Sequence, residues 1–146
     1  MAKENTIDYY LKTAWQTVAN TYNREVAEMG ITQSSGYVLI NIRKEGTAVS
    51  QLASLLGVRS TSLSRMLKAM ETQGLIYRAV DSQNKRSVKV YLTEEGGRKR
   101  EQAKMVVKEF NAFLDKHFTK SERSKFIDLL QRAQKLAQAY PETEQM

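Results

Sequence analysis

Short hydroxyls and cations are the side chains with chemical potential in this sequence, and they gather in its middle third. Ser60, Thr61, Ser62 and Ser64 stand in one run with Arg65 and Lys68, and Lys85-Arg86 follow further on in a polar stretch. Hydroxyls near a helix start can bond phosphate oxygens or base edges, and an arginine can grip a guanine through two parallel hydrogen bonds. Residues 47–100 carry ten basic side chains against four acidic ones, whereas residues 1–46 balance and residues 101–146 hold a surplus of one. Nearly all of the net charge of +7 therefore sits on one segment, as a surface for polyanions requires. A solvated basic face is the commoner cause of such charge, so the local pattern has to decide.

Other chemistries are poorly provided for. The chain has no cysteine, which excludes a disulfide scaffold, a thiolate nucleophile, a cysteine zinc site and a thiol-based redox sensor. With one histidine, metal binding through imidazole lacks ligands, and His117 reads as a helix-end residue at the negative pole of the dipole. No nucleophile–base pair, phosphate-cradling glycine loop or metal cluster stands out, so neither an enzyme nor a cofactor or metal is expected. The opening Met1-Ala2-Lys3-Glu4-Asn5 has no apolar stretch, and no later run is long enough for a membrane span; a cytoplasmic chain is expected. Hydrophobic residues at 41% and charged residues at 27% fit a globular chain rather than a disordered one.

Helices must position these side chains. Leu11, Trp15, Val18, Tyr22, Val26 and Met29 recur at three- and four-residue steps and predict a helix over 6–29, stopped by Gly30. Thr32 is an N-cap for a helix over roughly 33–44, closed by Gly46. Shorter helices are expected over about 49–56, ended by Gly57, and 60–73, ended by Gly74. The period then changes. Residues 75–80 and 87–92 are rich in β-formers, with Val88, Val90 and Leu92 alternating with polar positions, and 81–86 connects them as a basic loop. Thr93 caps a helix from about 95 to His117, and Thr119 with Glu122 forms a capping box for a last helix over 120–139, ended by Pro141. The tail from Glu142 to Met146 is expected to fray.

The functional register lies in residues 49–68. Two helices crossing steeply need a small residue at the contact, Ala53, and a turn residue tolerant of positive φ, Gly57. Leu52, Leu56, Val58, Leu63, Met66 and Leu67 are the expected apolar anchors of this helix-turn-helix. On the second helix, Leu63, Met66, Leu67 and Met70 form one face; Thr61, Arg65, Lys68 and Thr72 form the opposite one, flanked by Ser62 and Ser64. No carboxylate falls there, since Glu71 lies toward the core edge. A hairpin with Lys85 and Arg86 in its loop completes the layout of a winged helix, and Arg86 is placed to enter a minor groove. Asp81 or Asn84 could hold the loop by bonding its backbone. The fold class expected is mainly α with a small β-hairpin wing (α+β).

At this point the chain resembles the MarR family of bacterial winged-helix regulators. Ile31-Thr32, Gln51-Leu52-Ala53 with Leu56-Gly57-Val58, and Gln73-Gly74-Leu75-Ile76 match its blocks. The most specific block is Asp81, Lys85-Arg86-Ser87-Val88 and Leu92-Thr93-Glu94-Glu95-Gly96. The resemblance implies one domain over 1–146, with dimerisation helices at 1–30 and 95–140 and a DNA-binding lobe at 31–94. It implies a homodimeric, ligand-responsive repressor acting on a pseudo-palindromic operator in double-stranded DNA. The family's wing arginine corresponds to Arg86. The aspartate usual two residues earlier is Asn84 here, which accepts a hydrogen bond but forms no ion pair, with Asp81 as a partial substitute. A small phenolic or anionic effector is implied too. Trp15, Tyr22 and Tyr37 are the candidate pocket residues, although aromatics at helical spacing more often serve core or dimer contacts. Two alternatives stay open: a non-specific architectural DNA binder, and a winged helix used for protein contact.

Overall fold

A computed structural model describes residues 5–142. The opening four residues and the end of the expected frayed tail, 143–146, lie outside the described residues. The elements are α1 (Ile7–Val26), a 3-10 turn (Ala27–Met29), α2 (Gln33–Ile40), β1 (Thr47–Ala48), α3 (Val49–Leu56), α4 (Ser60–Thr72), β2 (Ile76–Asp81), β3 (Asn84–Leu92), α5 (Glu94–Asp115) and α6 (Lys120–Ala139). The chain divides into two compact units, one up to Val107 and one from Lys108 onward, so α5 contributes to both.

The first unit holds the core. Val38, Leu39, Ile42, Leu52, Leu63, Leu67, Met70 and Val90 are almost fully buried in it, drawn from α2, α3, α4, β3 and the residue after α2's cap. The expected inner face of α4 is therefore the one the core receives, with Met66 half-buried at its edge. Burying leucine-sized side chains contributes about 1.5–3 kcal/mol each, which is what pins α4 against α3 and the sheet. The α3–α4 turn behaves as expected. Gly57 adopts φ of 65°, and the N–H of Val58 reaches back to the carbonyl of Ala53, closing α3. Val58, expected as an anchor between the helices, is instead 37% exposed, and it serves the turn through its backbone N–H.

Three expectations of element length are corrected. The first helix ends at Val26 and tightens into the 3-10 turn, because Gly30 at φ of 73° bonds back to Ala27. The second ends at Ile40 rather than 44: Asn41 turns its side-chain amide onto the Tyr37 carbonyl, satisfying a helix-end acceptor, and Ile42 enters the core from the following segment. The basic loop is shorter than 81–86. β3 begins at Asn84, so Lys85 and Arg86 belong to a strand and only Ser82 and Gln83 make the turn.

The sheet has three antiparallel strands in the order β1-β3-β2. β1 pairs Thr47 with Val90 and Ala48 with Lys89, and no two-residue strand could be read from alternation. The second unit's elements are amphipathic, but none of its described residues is fully buried. No α6 residue is buried, although Thr119 and Glu122 make the expected reciprocal capping box. Arg123 and Asp115 pair within it at 2.7 Å.

The start of α5 is locked to the turn that follows α4. Thr93 accepts from the Gly96 N–H at 3.0 Å and donates to the Gly74 carbonyl at 2.6 Å. Gly96 must be glycine for this approach, since a Cβ there would meet the Leu75 carbonyl oxygen at 1.9 Å. One turn on, Arg98 bonds Glu95, and that hydrogen bond with its attraction holds the Glu95 carboxyl below its ordinary range. Both groups stand in solvent, so the pair adds little to stability.

Candidate nucleic-acid interface

The first unit brings the outer end of α4, the start of α3 and the hairpin around one cleft of about 520 Å³. Ser60 and Ser64 of α4, Val49 and Ser50 of α3, Arg78 of β2, and Asn84, Arg86, Ser87 and Val88 of β3 line it. Ser60 opens α4, whose first N–H groups have no intrahelical partners, and that end carries the positive pole of the helix dipole. Helix hydroxyls and a strand arginine thus converge on one concavity, which is what a polyanion needs.

The remaining expected contacts surround the cleft. Thr61, Ser62, Arg65 and Lys68 are exposed on α4. Among the described residues, Arg65, Lys68, Lys85 and Arg86 meet no carboxylate, whereas Arg98, Lys99 and Arg100 of α5 each pair with a glutamate. The cations on α4 and at the hairpin tip are therefore free for an external anion. The Thr72 hydroxyl, on the same side, is already donated to the Lys68 carbonyl. Lys85 and Arg86 part company. Alternation puts Arg86 on the side of Val88 and Val90, facing the cleft, and Lys85 on the side of Lys89 and Tyr91.

The support of the wing is backbone support. Asp81 accepts the Gln83 N–H at 3.0 Å, and Asn84 accepts the backbone N–H of Arg86 at 3.2 Å. Asn84 therefore fixes the position of Arg86 without holding its guanidinium. Asp81 does not replace the usual aspartate either: its other oxygen faces the Lys89 ammonium at 3.8 Å.

Sequence reasoning missed Arg59, Ser50 and Arg78. Arg59 stands exposed at the N-cap of α4. Arg78 was legible in principle, because alternation from the apolar Ile76 sends it to the same face. Ser50 was not, since it reaches the cleft only through the pairing of β1 with β3.

A second concavity in this unit, about 230 Å³, is lined by Trp15 and Tyr22 of α1, Gly36 and Tyr37 of α2, and Ala103 and Val106 of α5, among others. All three aromatics singled out in the sequence meet there. Among the described residues, no charged side chain lines it.

The family profile described as "MarR family" matches residues 31–88. The organic hydroperoxide resistance transcriptional regulator of Bacillus subtilis (strain 168) is 31% identical over 104 residues, covering 70% of this chain and 71% of that protein. The chain belongs to the MarR family. Its fold is shared with a solved complex of MepR from S. aureus with DNA, at a TM-score of 0.84 and 21% identity, over 92% of this chain and 99% of that one. A mutant of MarR from E. coli, solved with operator DNA, is similar at a TM-score of 0.78 and 26% identity, over 87% and 92% of the two chains. As a MarR-family winged-helix regulator the chain is a transcription regulator and not an enzyme. Among the described residues, no helix is long and apolar enough to cross a membrane.

Proposed function

We propose that this MarR-family chain is a cytoplasmic, sequence-specific repressor that binds a pseudo-palindromic duplex as a homodimer and leaves it when a small effector binds. The observation that carries the reading is the cleft, where Ser60 and Ser64 of α4 face Arg86 of the wing and that arginine has no acceptor among the described residues. The helix would lie in a major groove, with Arg65 toward base edges, while Arg86 enters the flanking minor groove. Two such lobes in a C2 dimer can meet major-groove faces roughly 34–36 Å apart. The dimer would be built from 1–30 and 95–140 and the DNA-binding lobe from 31–94.

Selection from a random duplex pool tests this. A palindromic consensus is expected, bound with log affinity that falls linearly with log salt at about 0.9 per neutralised phosphate. Equal affinity for all sequences would leave an architectural binder, and no salt-dependent binding would leave a protein-contact module.

The neutral cavity of about 230 Å³ is the effector site in this reading. Its volume suits a single aromatic ring, and its lining favours an uncharged compound over an anion, whose burial without a cation is costly. Trp15 is the chain's one tryptophan, so its emission reports occupancy directly. Titration with phenol should shift that emission and release the selected duplex, while benzoate should do so far more weakly. A stronger response to benzoate, or emission that neither compound changes, would sink the assignment.

A further inference from the structure

Two arginines line the cleft, and they are held differently. Arg86 meets no acceptor among the described residues, whereas Arg78 donates from Nε to Oε1 of Glu71 at 2.5 Å. Glu71 is in the last turn of α4, and Arg78 pairs with the buried Val90 across the hairpin, so this bond ties the helix to the wing. Each of the two side chains is one-third exposed. Among the described residues the hydrogen bond uses Nε alone, and neither Nη group donates a hydrogen bond within the protein. A guanidinium is a rigid planar fork, so fixing Nε sets the direction of both Nη groups. Two parallel N–H donors match the oxygens of a phosphate.

We infer that Arg78 binds a backbone phosphate in this interface, and that Glu71 is a positioning residue that aims it. This explains an acid so close to a surface for polyanions. A carboxylate there repels DNA unless it is engaged, and Glu71 is engaged by the arginine that it orients. Phosphate, rather than a base edge, is the partner because Arg78 sits on the strand and not on α4, and its side chain is only one-third exposed. The inference rests on the DNA-binding reading above.

The test uses the full chain and the duplex that the wild-type protein selects. Arg78→Ala should lower the slope of log affinity against log salt by about 0.9 per protomer, and affinity at fixed salt by about tenfold. Arg78→Lys, which keeps the charge, should restore the slope. Glu71→Ala should weaken binding in the wild-type background but not in the Arg78→Ala background, because it acts through Arg78. Glu71→Gln, which keeps an acceptor for Nε, should retain most of the binding. An unchanged slope in Arg78→Ala, or an equal effect of Glu71→Ala in both backgrounds, overturns the inference while wild-type binding stands. Loss of salt-dependent binding in the wild type removes the proposed function instead.

Discussion

Arg86→Ala is expected to weaken binding to the selected duplex by roughly a hundredfold to ten-thousandfold and to flatten its salt dependence. The range follows from about 1.5–3 kcal/mol per charge-assisted hydrogen bond, taken twice in a dimer. The effect should be large because this guanidinium has no internal partner to fall back on among the described residues, and because Asn84 already fixes its backbone. A narrow minor groove concentrates negative potential where such a side chain would enter, so the loss should be greatest for operators with A·T-rich flanks. Two comparisons isolate the cause. Lys85→Ala removes the same charge one residue away but on the other side of the strand, and should matter several-fold less. Arg65→Ala should cost about 1–3 kcal/mol at one base position and relax the consensus there, since it is placed to read an edge. If Arg86→Ala and Lys85→Ala behave alike, only the overall charge of the wing matters and its geometry does not.

What could be read from the chain divides along a physical line. The inner face of α4 was legible because Leu63, Leu67 and Met70 repeat at the helical period and the core takes in that face. The capping box expected at Thr119 and the N-cap expected at Thr32 depend on residues within one turn; both form, and Thr32 closes a reciprocal box with Ser35 as well. The wing arginine is legible in the sequence, but its strand starts three residues earlier than alternation indicates, because Asn84, Lys85 and Arg86 look like loop residues and only pairing with β2 makes them strand. Long-range pairing also defines β1, and with it the approach of Ser50 to the cleft. The Glu71–Arg78 bond joins residues seven apart across a turn, and nothing in their types announces it. Trp15, Tyr22 and Tyr37 are pocket candidates only through the family resemblance, since their spacing alone fits core or dimer contacts equally well. Their convergence depends on how α1 crosses α2, which periodicity does not encode.

A second large effect is expected from Leu129→Asp with Leu130→Asp, which should turn the proposed dimer into a monomer. In the single chain Leu129 and Leu130 are 44% and 39% exposed, beside Phe126 at 51% and Leu136 at 65%. A helix with this much apolar surface and no buried residue needs a cover, and in the proposed dimer a second copy of the chain supplies the same unmet surface. Each leucine buried in such an interface contributes about 1.5–3 kcal/mol, and symmetry counts every one twice. Replacing them with carboxylates also confronts like charges across the two-fold axis. The dimerisation constant should weaken by more than about ten-thousandfold. The protomer itself should survive, since α6 gives no side chain to the core, so helical content should hold while sedimentation drops from twice 16.7 kDa to once. DNA binding then reports on the linkage of the two lobes. A dimer holds its second lobe at high effective concentration over the second half-site, and its loss should weaken operator binding by roughly a hundredfold to ten-thousandfold. Binding to a single half-site should barely change, because Arg65 and Arg86 are untouched. A variant that stays dimeric, or a monomer that binds the full operator as tightly as the wild type, would show that α6 does not couple the two lobes.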